Sequence, residues 1–321
     1  MRAAVSCCIL TLAQAAQAGP PELHFPVACT LGEECFIQNY VDADPTEGYQ
    51  DFACGTLSYD GHNGTDFAVP THLDALEGVA VLAAAPGKVR AIRDALPDHF
   101  LGADPAFPDG QDCGNGLAIT HVGGWETQYC HLAKGSISVH VGEQVNAGTV
   151  LGRIGMSGNT EFPHLHLTLR RDGAVVDPFD PEPDGACGAP LESQLWKTPI
   201  AYAAGGLLQA GFSSAVPNFD LVKFGQAHDT DLSSQDGALV LWAHLYGPRA
   251  GDELQMMIKG PDGIFLDHIV TFDKPQAQAM RAAGRRLHSD NTNVGDYLGE
   301  VILRRNGAEI GRKSAQTILR D

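Results

Sequence analysis

The chain has 321 residues, a length that predicts two domains of ordinary size. Hydrophobic residues make up 44% of the chain, enough to build packed cores, and this composition excludes global disorder. The formal net charge of −18 argues against nucleic acid or an anionic membrane surface as the main partner, because polyanions would be repelled.

Residues 1–18 have the pattern of a secretory signal peptide. Arg2 supplies a positive charge, residues 3–12 form a short apolar run, and residues 16–18 (Ala-Gln-Ala) are a small-x-small cleavage site. The apolar run is too short to anchor the chain in a bilayer, and no later segment is long and apolar enough for a membrane helix. The sequence therefore predicts export to the periplasm or the extracellular space, with no membrane span.

Six cysteines follow the predicted signal peptide. They are Cys29, Cys35, Cys54, Cys113, Cys130 and Cys187. An even number of cysteines in an exported chain favours disulfides over free thiols. The close pair Cys29–Cys35 is the predicted local bridge, and the other pairings stay open. All six precede residue 190, which supports a domain boundary near that position.

Changes in composition and in the pattern of apolar residues divide the chain into four predicted segments after the signal peptide. Residues 19–59 are rich in Pro, Gly and acidic residues and predict a loop-rich N-terminal wrap. Residues 60–182 carry short apolar runs split by glycine, which predict an antiparallel β domain without a helix of ordinary length. Within it, Asp94 to Asn115 predicts a long loop at the rim of a binding groove. Residues 183–205 predict a linker.

The strands predicted in residues 60–182 follow each other at short intervals. They are Val79 to Ala84, Lys88 to Ile92, Leu117 to His121, Glu126 to Leu132, Ser136 to Val141, Val150 to Ile154, Leu165 to Arg170 and Ala174 to Val176. The hairpin between Leu117 and Leu132 is predicted to have a four-residue loop, with His121 opposite Glu126. His121 is assigned a hydrogen-bonded structural role.

Residues 206–321 predict a small β-sandwich-like domain. Its predicted strands are Ala238 to Tyr246, Leu254 to Lys259, Ile264 to Phe272 and Tyr297 to Arg304, and Pro275 to Arg286 is predicted as a helix. Trp242 and Tyr246 are predicted to lie in the core. The domain either adds bulk and stability or binds the cell wall or a partner, and no family is recognised for it.

The stretch Phe162–Leu169 alternates histidine with apolar residues. As a strand it places His164 and His166 on one face and leucines on the other, against a core. Neutral imidazole is the commonest metal ligand, and zinc sites usually collect several nitrogen or oxygen donors. A His-x-His pair alone is more often a surface or hydrogen-bonded pair, so the prediction of a metal site depends on further donors.

Two further segments supply such donors. His62 and Asp66 are four residues apart, and an even offset in an extended chain keeps both side chains on one face. Together with one histidine of the central strand they make three protein ligands, the number typical of a catalytic zinc that leaves a fourth position to water. In Tyr129-Cys130-His131-Leu132, alternation predicts that His131 shares a face with Tyr129 and that Cys130 points away from it.

Three separated motifs resemble the lysostaphin/LytM-type zinc endopeptidases, which cut bacterial peptidoglycan peptides. They are His62-x-Gly64-x-Asp66, Tyr129-x-His131-Leu132 and His164-x-His166. The segments Val141–Gly148 and Gly155–Thr160 are also similar to that family. The resemblance covers about residues 55–180, and its specificity comes from the agreement of the motifs in order and content.

The resemblance implies that His62, Asp66 and His166 ligate one zinc ion. It also implies that His131 and His164 are catalytic histidines that lie beside the metal without ligating it. The predicted fold class is mainly β, with an antiparallel β-sheet metallopeptidase domain of the lysostaphin type followed by the β-sandwich-like domain.

The sequence thus predicts an exported zinc metalloendopeptidase that hydrolyses stem or cross-link peptides of peptidoglycan. Zinc lowers the pKa of water to around 7 and polarises a carbonyl, and either His131 or His164 would accept the proton. The bond that is cut stays open between the D-Ala to diaminopimelate link, a glycine bridge and a protein outside the wall.

Three alternative interpretations accompany this one. The first is a non-hydrolytic LytM-like module that binds or activates another cell-wall hydrolase. The second is a lipoyl- or biotin-carrier-like domain, which the absence of an exposed carrier lysine disfavours. The third keeps the fold and makes the histidines a structural metal site.

Overall fold

The structure is a computed structural model, and it describes residues 19–99, 108, 110–183, 188–288 and 293–321. The predicted signal peptide, most of the tip of the predicted rim loop and Cys187 lie outside these ranges. In the described part of the chain, no helix has the length and apolar character needed to cross a bilayer. The predicted boundaries between the four segments remain a prediction.

One antiparallel sheet organises the first half of the chain. Its strands and their close neighbours are β1 (Phe36–Asn39), β2 (Thr65–Ala68), β3 (Ala80–Leu82), β4 (Gly87–Arg93), β5 (Asn115–Thr120), β6 (Trp125–Leu132), β7 (Gln144–Val145), β8 (Val150–Arg153), β9 (His164–Arg171) and β10 (Ala174–Val176). The sheet order is β1-β2-β9-β6-β5-β4-β7, with β10 paired to β9, while β3 and β8 pair with each other.

Strand β9 lies inside the sheet between β2 and β6, and its alternation has the predicted effect. Leu165, Leu167 and Leu169 are at most 1% exposed and belong to the core of the first half. Full burial of each side chain contributes roughly 1.5–3 kcal/mol, so a one-residue register slip would be costly. The opposite face of β9 therefore presents His164 and His166 in a fixed register.

Helical structure in this half is short, as predicted. The helix α1 (His72–Glu77) begins with a capping box, in which the Thr71 hydroxyl accepts from the Asp74 amide and the Asp74 carboxylate accepts from the Thr71 amide. It ends at Gly78, whose φ of 97° lies in the left-handed region. A single turn of 3₁₀ helix, Val122–Gly124, closes the hairpin between β5 and β6.

Two details of the predicted strands are wrong. Ser136 to Val141 does not form a strand, because its polar groups bond elsewhere: the Ile137 amide donates to Asp94 and the Ser138 hydroxyl donates to the Val150 carbonyl. In the hairpin, Thr120 rather than His121 lies opposite Glu126. The structural role of His121 is confirmed, since its ring nitrogens contact the Pro86 carbonyl and the Thr127 hydroxyl.

The second half of the chain forms two further sheets. Its elements are β11 (Gly206–Ser213), α2 (Phe219–Phe224), β12 (Asp231–Ser233), β13 (Ala238–Tyr246), β14 (Glu253–Gly260), β15 (Gly263–Thr271), β16 (Gln278–Arg286), β17 (Gly295–Arg305) and β18 (Ala308–Arg320). One sheet has the order β11-β13-β16, and the other has the order β12-β18-β17-β14-β15, with β12 parallel to β18. Side chains of both sheets share one hydrophobic core, so the β-sandwich-like prediction is confirmed.

The predicted helix over Pro275 to Arg286 is wrong, because β16 occupies most of that segment. Its Ala, Met, Gln and Arg residues have high helix propensity. Tertiary pairing overrides that propensity: β16 pairs with β13 along its whole length, and Ala282 lies opposite the large side chain of Trp242. Trp242 and Tyr246 are 2% and 6% exposed, which confirms their predicted core positions.

Candidate metal centre

The β2–β9 ladder brings together the polar residues of two predicted motifs. Asp66 lies directly opposite His166, and Ala68 lies opposite His164. Residues paired across antiparallel strands share a face, so Asp66, His164 and His166 point to the same side of the sheet. His62 comes from the turn before β2 and reaches this side, since its ring lies 3.2 Å from the Asp66 carboxylate.

Three side chains converge on one point. His62 Nε2 lies 3.2 Å from Asp66 Oδ2 and 3.2 Å from His166 Nδ1, and His166 Nδ1 lies 2.8 Å from Asp66 Oδ1. Ligand atoms of a tetrahedral zinc ion at about 2.0–2.1 Å would lie roughly 3.3 Å apart. The predicted ligand set therefore has the spacing that a small divalent cation requires.

The outer nitrogens of both ligand candidates are fixed by oxygen acceptors. His62 Nδ1 lies 2.7 Å from the Tyr40 carbonyl and His166 Nε2 lies 3.1 Å from Asn63 Oδ1. Because a carbonyl oxygen only accepts, each of these nitrogens carries the hydrogen, and the other nitrogen directs its lone pair into the site. Metal-ligating histidines are oriented in this way, so the donor set fits a metal ion.

Two more imidazoles adjoin the donor set. His131 Nδ1 lies 2.9 Å from the Ser157 carbonyl, and His164 Nδ1 lies 2.8 Å from the Phe162 carbonyl. By the same reasoning, both rings direct their Nε2 towards the donor set, and the Nε2 of His164 lies 3.3 Å from Asp66 Oδ1. The structure thus brings all five predicted site residues together, while their division into ligands and catalytic groups remains a prediction.

The predicted facing of Tyr129, Cys130 and His131 is wrong because β6 has a bulge there. Tyr129 pairs with Leu117 but Leu132 pairs with Asn115, so two residues of β6 oppose one residue of β5. His131 adopts a φ of 62°, which turns its side chain towards the site. Tyr129 is buried in the core, whereas Cys130 lies opposite His166 on the face of the metal centre.

A disulfide borders the metal centre. Cys130 bonds to Cys113, and the His131 amide donates to the Cys113 carbonyl over 2.8 Å. The predicted bridge Cys29–Cys35 is confirmed, and Cys54 is also disulfide-bonded. The spacing of the cysteines along the chain could not reveal that one bridge would lie beside the histidines.

Several orienting residues carry no motif that sequence reasoning could use. Asn39 donates to Asp66 Oδ2 over 3.0 Å, and both Asn39 and Tyr40 come from the segment predicted as a loop-rich wrap. Ser157, in contrast, belongs to a segment that resembles the endopeptidase family. Gly64 of the first motif is needed for space, because a Cβ there would lie 2.5 Å from His166 Nε2.

Burial and mutual charge set the protonation of the cluster. Burial opposes ionisation of Asp66, but the neighbouring His62 and His164 outweigh it and hold the pKa of the carboxyl well below its usual range. Burial lowers the pKa of His131, and His164 and His166 lower it further. Burial would also lower the pKa of His62, but the Asp66 charge outweighs it and raises that pKa. The same negative field would attract a metal cation.

An open groove crosses the metal centre. One cavity of about 470 Å³ is lined by Asp66, His131 and His164, and a second of about 360 Å³ is lined by His62, His131 and His166. Tyr59, His131 and Asn159 line both cavities, so they form one continuous cleft. Gly110 and Asp112, from the predicted rim loop, line the second cavity. The cleft could admit an extended chain across the donor set.

The site combines two imidazoles and a carboxylate at ligand spacing with two further imidazoles in an open cleft. These groups make the site a candidate metallohydrolase centre. Residues 60–178 match the model of Peptidase family M23. The match lies on the region that carries the three predicted motifs, and the resemblance to lysostaphin/LytM-type peptidases is confirmed.

Curated relatives match the same region. The DD-carboxypeptidase/endopeptidase Mpg of Neisseria meningitidis is 32% identical over 117 residues, covering 36% of this chain and 22% of that protein. The peptidoglycan DD-endopeptidase ShyA of Vibrio cholerae is 33% identical over 116 residues, with the same coverage. The cell division protein DipM of Caulobacter vibrioides is 30% identical over 113 residues, covering 34% of this chain and 16% of that protein. The match thus spans about a fifth of each relative.

Proposed function

We propose that this protein is an exported zinc-dependent endopeptidase that hydrolyses stem or cross-link peptides of bacterial peptidoglycan. The observation that carries the proposal is the convergence of His62, Asp66 and His166 at ligand spacing, with His131 and His164 beside them, inside the region that matches Peptidase family M23. Relatives named as peptidoglycan endopeptidases support the substrate class. The non-hydrolytic LytM-like module is not favoured, because all five residues are present.

His62, Asp66 and His166 would hold the zinc ion. Zinc there would supply a Lewis acid that lowers the pKa of water and polarises a peptide carbonyl. His131 and His164 both line the larger cavity, and each ring directs its Nε2 towards the site because its Nδ1 is bonded to a backbone carbonyl. Either nitrogen can accept the proton of the attacking water and later donate it to the leaving amine.

Export is supported by two independent features. The pattern of residues 1–18 is that of a signal peptide. The bridges Cys29–Cys35 and Cys113–Cys130 require an oxidising compartment such as the periplasm or the extracellular space. Peptidoglycan lies in that same space, so enzyme and substrate would meet without a further transport step.

The test is digestion of purified muropeptides, read by mass spectrometry with and without a chelator. Asp66→Ala and His166→Ala are expected to lose both bound zinc and hydrolysis. His131→Ala is expected to keep zinc and lose hydrolysis. His140→Ala is the matched control, because His140 is exposed and its ring contacts Glu143 on the surface, over 2.7 Å. Wild-type hydrolysis by His131→Ala would refute the assignment.

A further inference from the structure

The loop between β15 and β16 reaches from the β-sandwich to the cleft of the metal centre. Pro275, Gln276 and Ala277 line the cavity of about 470 Å³ that His131 and His164 also line. We propose that this sandwich loop, residues 273–277, is a fixed wall of the substrate cleft and determines which peptides bind there. The inference rests on the proposed function, because it assigns specificity to the same site.

The sandwich loop is held in place from its own side. The Gln276 amide donates to the Pro248 carbonyl over 3.1 Å, and the Gly247 amide donates to the Ala277 carbonyl over 2.9 Å. Arg281 of β16 donates to Gln276 Oε1 over 3.0 Å. Backbone and side chain of the loop are thus both tied to the sandwich, which makes the loop a rigid surface.

Gln38 of β1 joins the sandwich loop to the sheet of the metal centre. Its side chain is 1% exposed, and its Nε2 donates to the Ala277 carbonyl over 3.1 Å. Its Oε1 accepts from Gln278 Nε2 over 3.0 Å. A buried amide bonded at both ends fixes the relative position of the two groups that it connects.

The same strand also holds the metal centre. Asn39, the neighbour of Gln38, donates to Asp66. The register of β1 against β2 shifts between Ile37 and Asn39, so a bulge lets these adjacent residues serve two different partners. The position of the sandwich loop is therefore set by the same backbone segment that positions the metal-site carboxylate.

The chemistry of the cavity fits a peptide segment without acidic side chains. Tyr59 and Phe162 supply aromatic surface, while Asn159 and Gln276 supply amide groups. Among the described lining residues, Glu161 is the charged side chain outside the metal centre, and none is Lys or Arg. A neutral or ammonium-bearing residue of the substrate would be accepted beside the sandwich loop, whereas a carboxylate placed there, away from the metal centre, would lack a cationic partner.

The test narrows the cleft from the sandwich side. Ala277 is exposed, so Ala277→Trp adds an indole at the wall without removing the backbone bonds of the loop. Ala308→Trp is the matched control, because Ala308 is an exposed sandwich residue that does not line the cleft. In the active protein, Ala277→Trp is expected to raise KM for cross-linked muropeptides at least ten-fold. In zinc-loaded protein that also carries His131→Ala, the same substitution is expected to raise Kd for these muropeptides at least ten-fold. Zinc content and Tm are expected to stay at wild-type values.

The outcomes separate this inference from the proposed function. If Ala277→Trp kept the wild-type KM and Kd, the proposal that the sandwich loop forms a wall of the cleft would be overturned, and the proposed function would stand. Binding without hydrolysis by the wild type, with weaker binding by Ala277→Trp, would support the wall and refute the endopeptidase. Absence of both binding and hydrolysis in the wild type would refute both. Equal losses in Ala277→Trp and Ala308→Trp would also overturn the wall.

Discussion

Each site histidine combines one nitrogen bonded to an oxygen acceptor with one nitrogen directed into the cleft. For His62 the acceptor is the Tyr40 carbonyl, and for His131 it is the Ser157 carbonyl. The motifs in the sequence identify the rings because the spacing within each motif is short. They do not identify the acceptors of His62, His131 and His164, which are backbone carbonyls brought close by the fold and therefore independent of residue type at those positions. The acceptor of His166 is different, because it is the side chain of Asn63 in the first motif.

Asn39 orients the carboxylate of the metal centre and provides a test of how much such orienting hydrogen bonds contribute to zinc binding. Its side chain is 7% exposed and donates to Asp66 Oδ2. Asn39→Ala is expected to weaken zinc binding by about 10–100-fold, because the carboxylate loses the partner that orients it. Competition with a chelating dye measures the affinity. Asn146→Ala, an exposed asparagine, is the control and should bind zinc like the wild type. Unchanged affinity in Asn39→Ala would remove Asn39 from the support of the site.

At the scale of single elements, regular periodicity predicts well and local irregularity does not. The alternation of β9 predicted both faces of that strand, because a pleated strand has a period of two residues. The bulge at Cys130 and His131 breaks the same rule in β6, and the glycine that accompanies it, Gly116, lies on the neighbouring strand β5 rather than beside these residues in the sequence. Strand β16 shows a different limit, because its helix-forming composition is overridden by pairing with β13.

The bridge between Cys113 and Cys130 should stabilise the bulge in β6. The double variant Cys113→Ser/Cys130→Ser is expected to lose about 3 kcal/mol of unfolding free energy, since the bridge closes a loop of 17 residues. It should also lower kcat, because His131 follows Cys130 and its amide bonds to Cys113. Urea unfolding and muropeptide turnover measure the two effects.

The control for this bridge is Cys29→Ser/Cys35→Ser. That pair spans 6 residues and does not line either cavity of the cleft, so its removal should reduce stability while hydrolysis persists. If the two double variants lost kcat equally, the effect at Cys113 and Cys130 would be general destabilisation rather than local support of His131.

At the scale of the whole molecule, the two halves of the chain meet along β1 and the ends of β13 and β16. The aromatic ring of Phe36 packs 4.5 Å from that of Tyr246 between ring centres, and Gln38 bonds to Gln278. The sequence predicted two β units from composition and turn spacing. It could not predict their contact, because contacts across more than 200 residues leave no local pattern.

His244 lies at this junction and makes stability depend on pH. Burial, with a smaller contribution from Lys223, lowers the pKa of its imidazole to about 4, although a hydrogen bond with Gln278 opposes the shift. The folded protein therefore holds His244 neutral, while the unfolded chain takes up a proton below about pH 6.5. Stability should be fully present above that pH and fall by up to about 3 kcal/mol as the pH approaches 4.

The measurement is urea unfolding at several pH values between 7.5 and 4. His244→Phe removes the titrating group and is expected to flatten this part of the pH dependence, whatever its effect on absolute stability. His268→Phe, at an exposed position of β15, should keep the wild-type slope. An unchanged slope in His244→Phe would show that other groups control acid stability.

The left-handed backbone of His131 sets folding stability against the catalytic role proposed for its imidazole. A side chain with a Cβ adopts a φ of 62° at a cost of about 1 kcal/mol, which glycine avoids. A chain carrying His131→Gly would relax that cost and also discard an imidazole of the cleft. Histidine at this position therefore carries a backbone cost, and the catalytic role proposed for its imidazole would explain why a residue with a Cβ occupies a left-handed position.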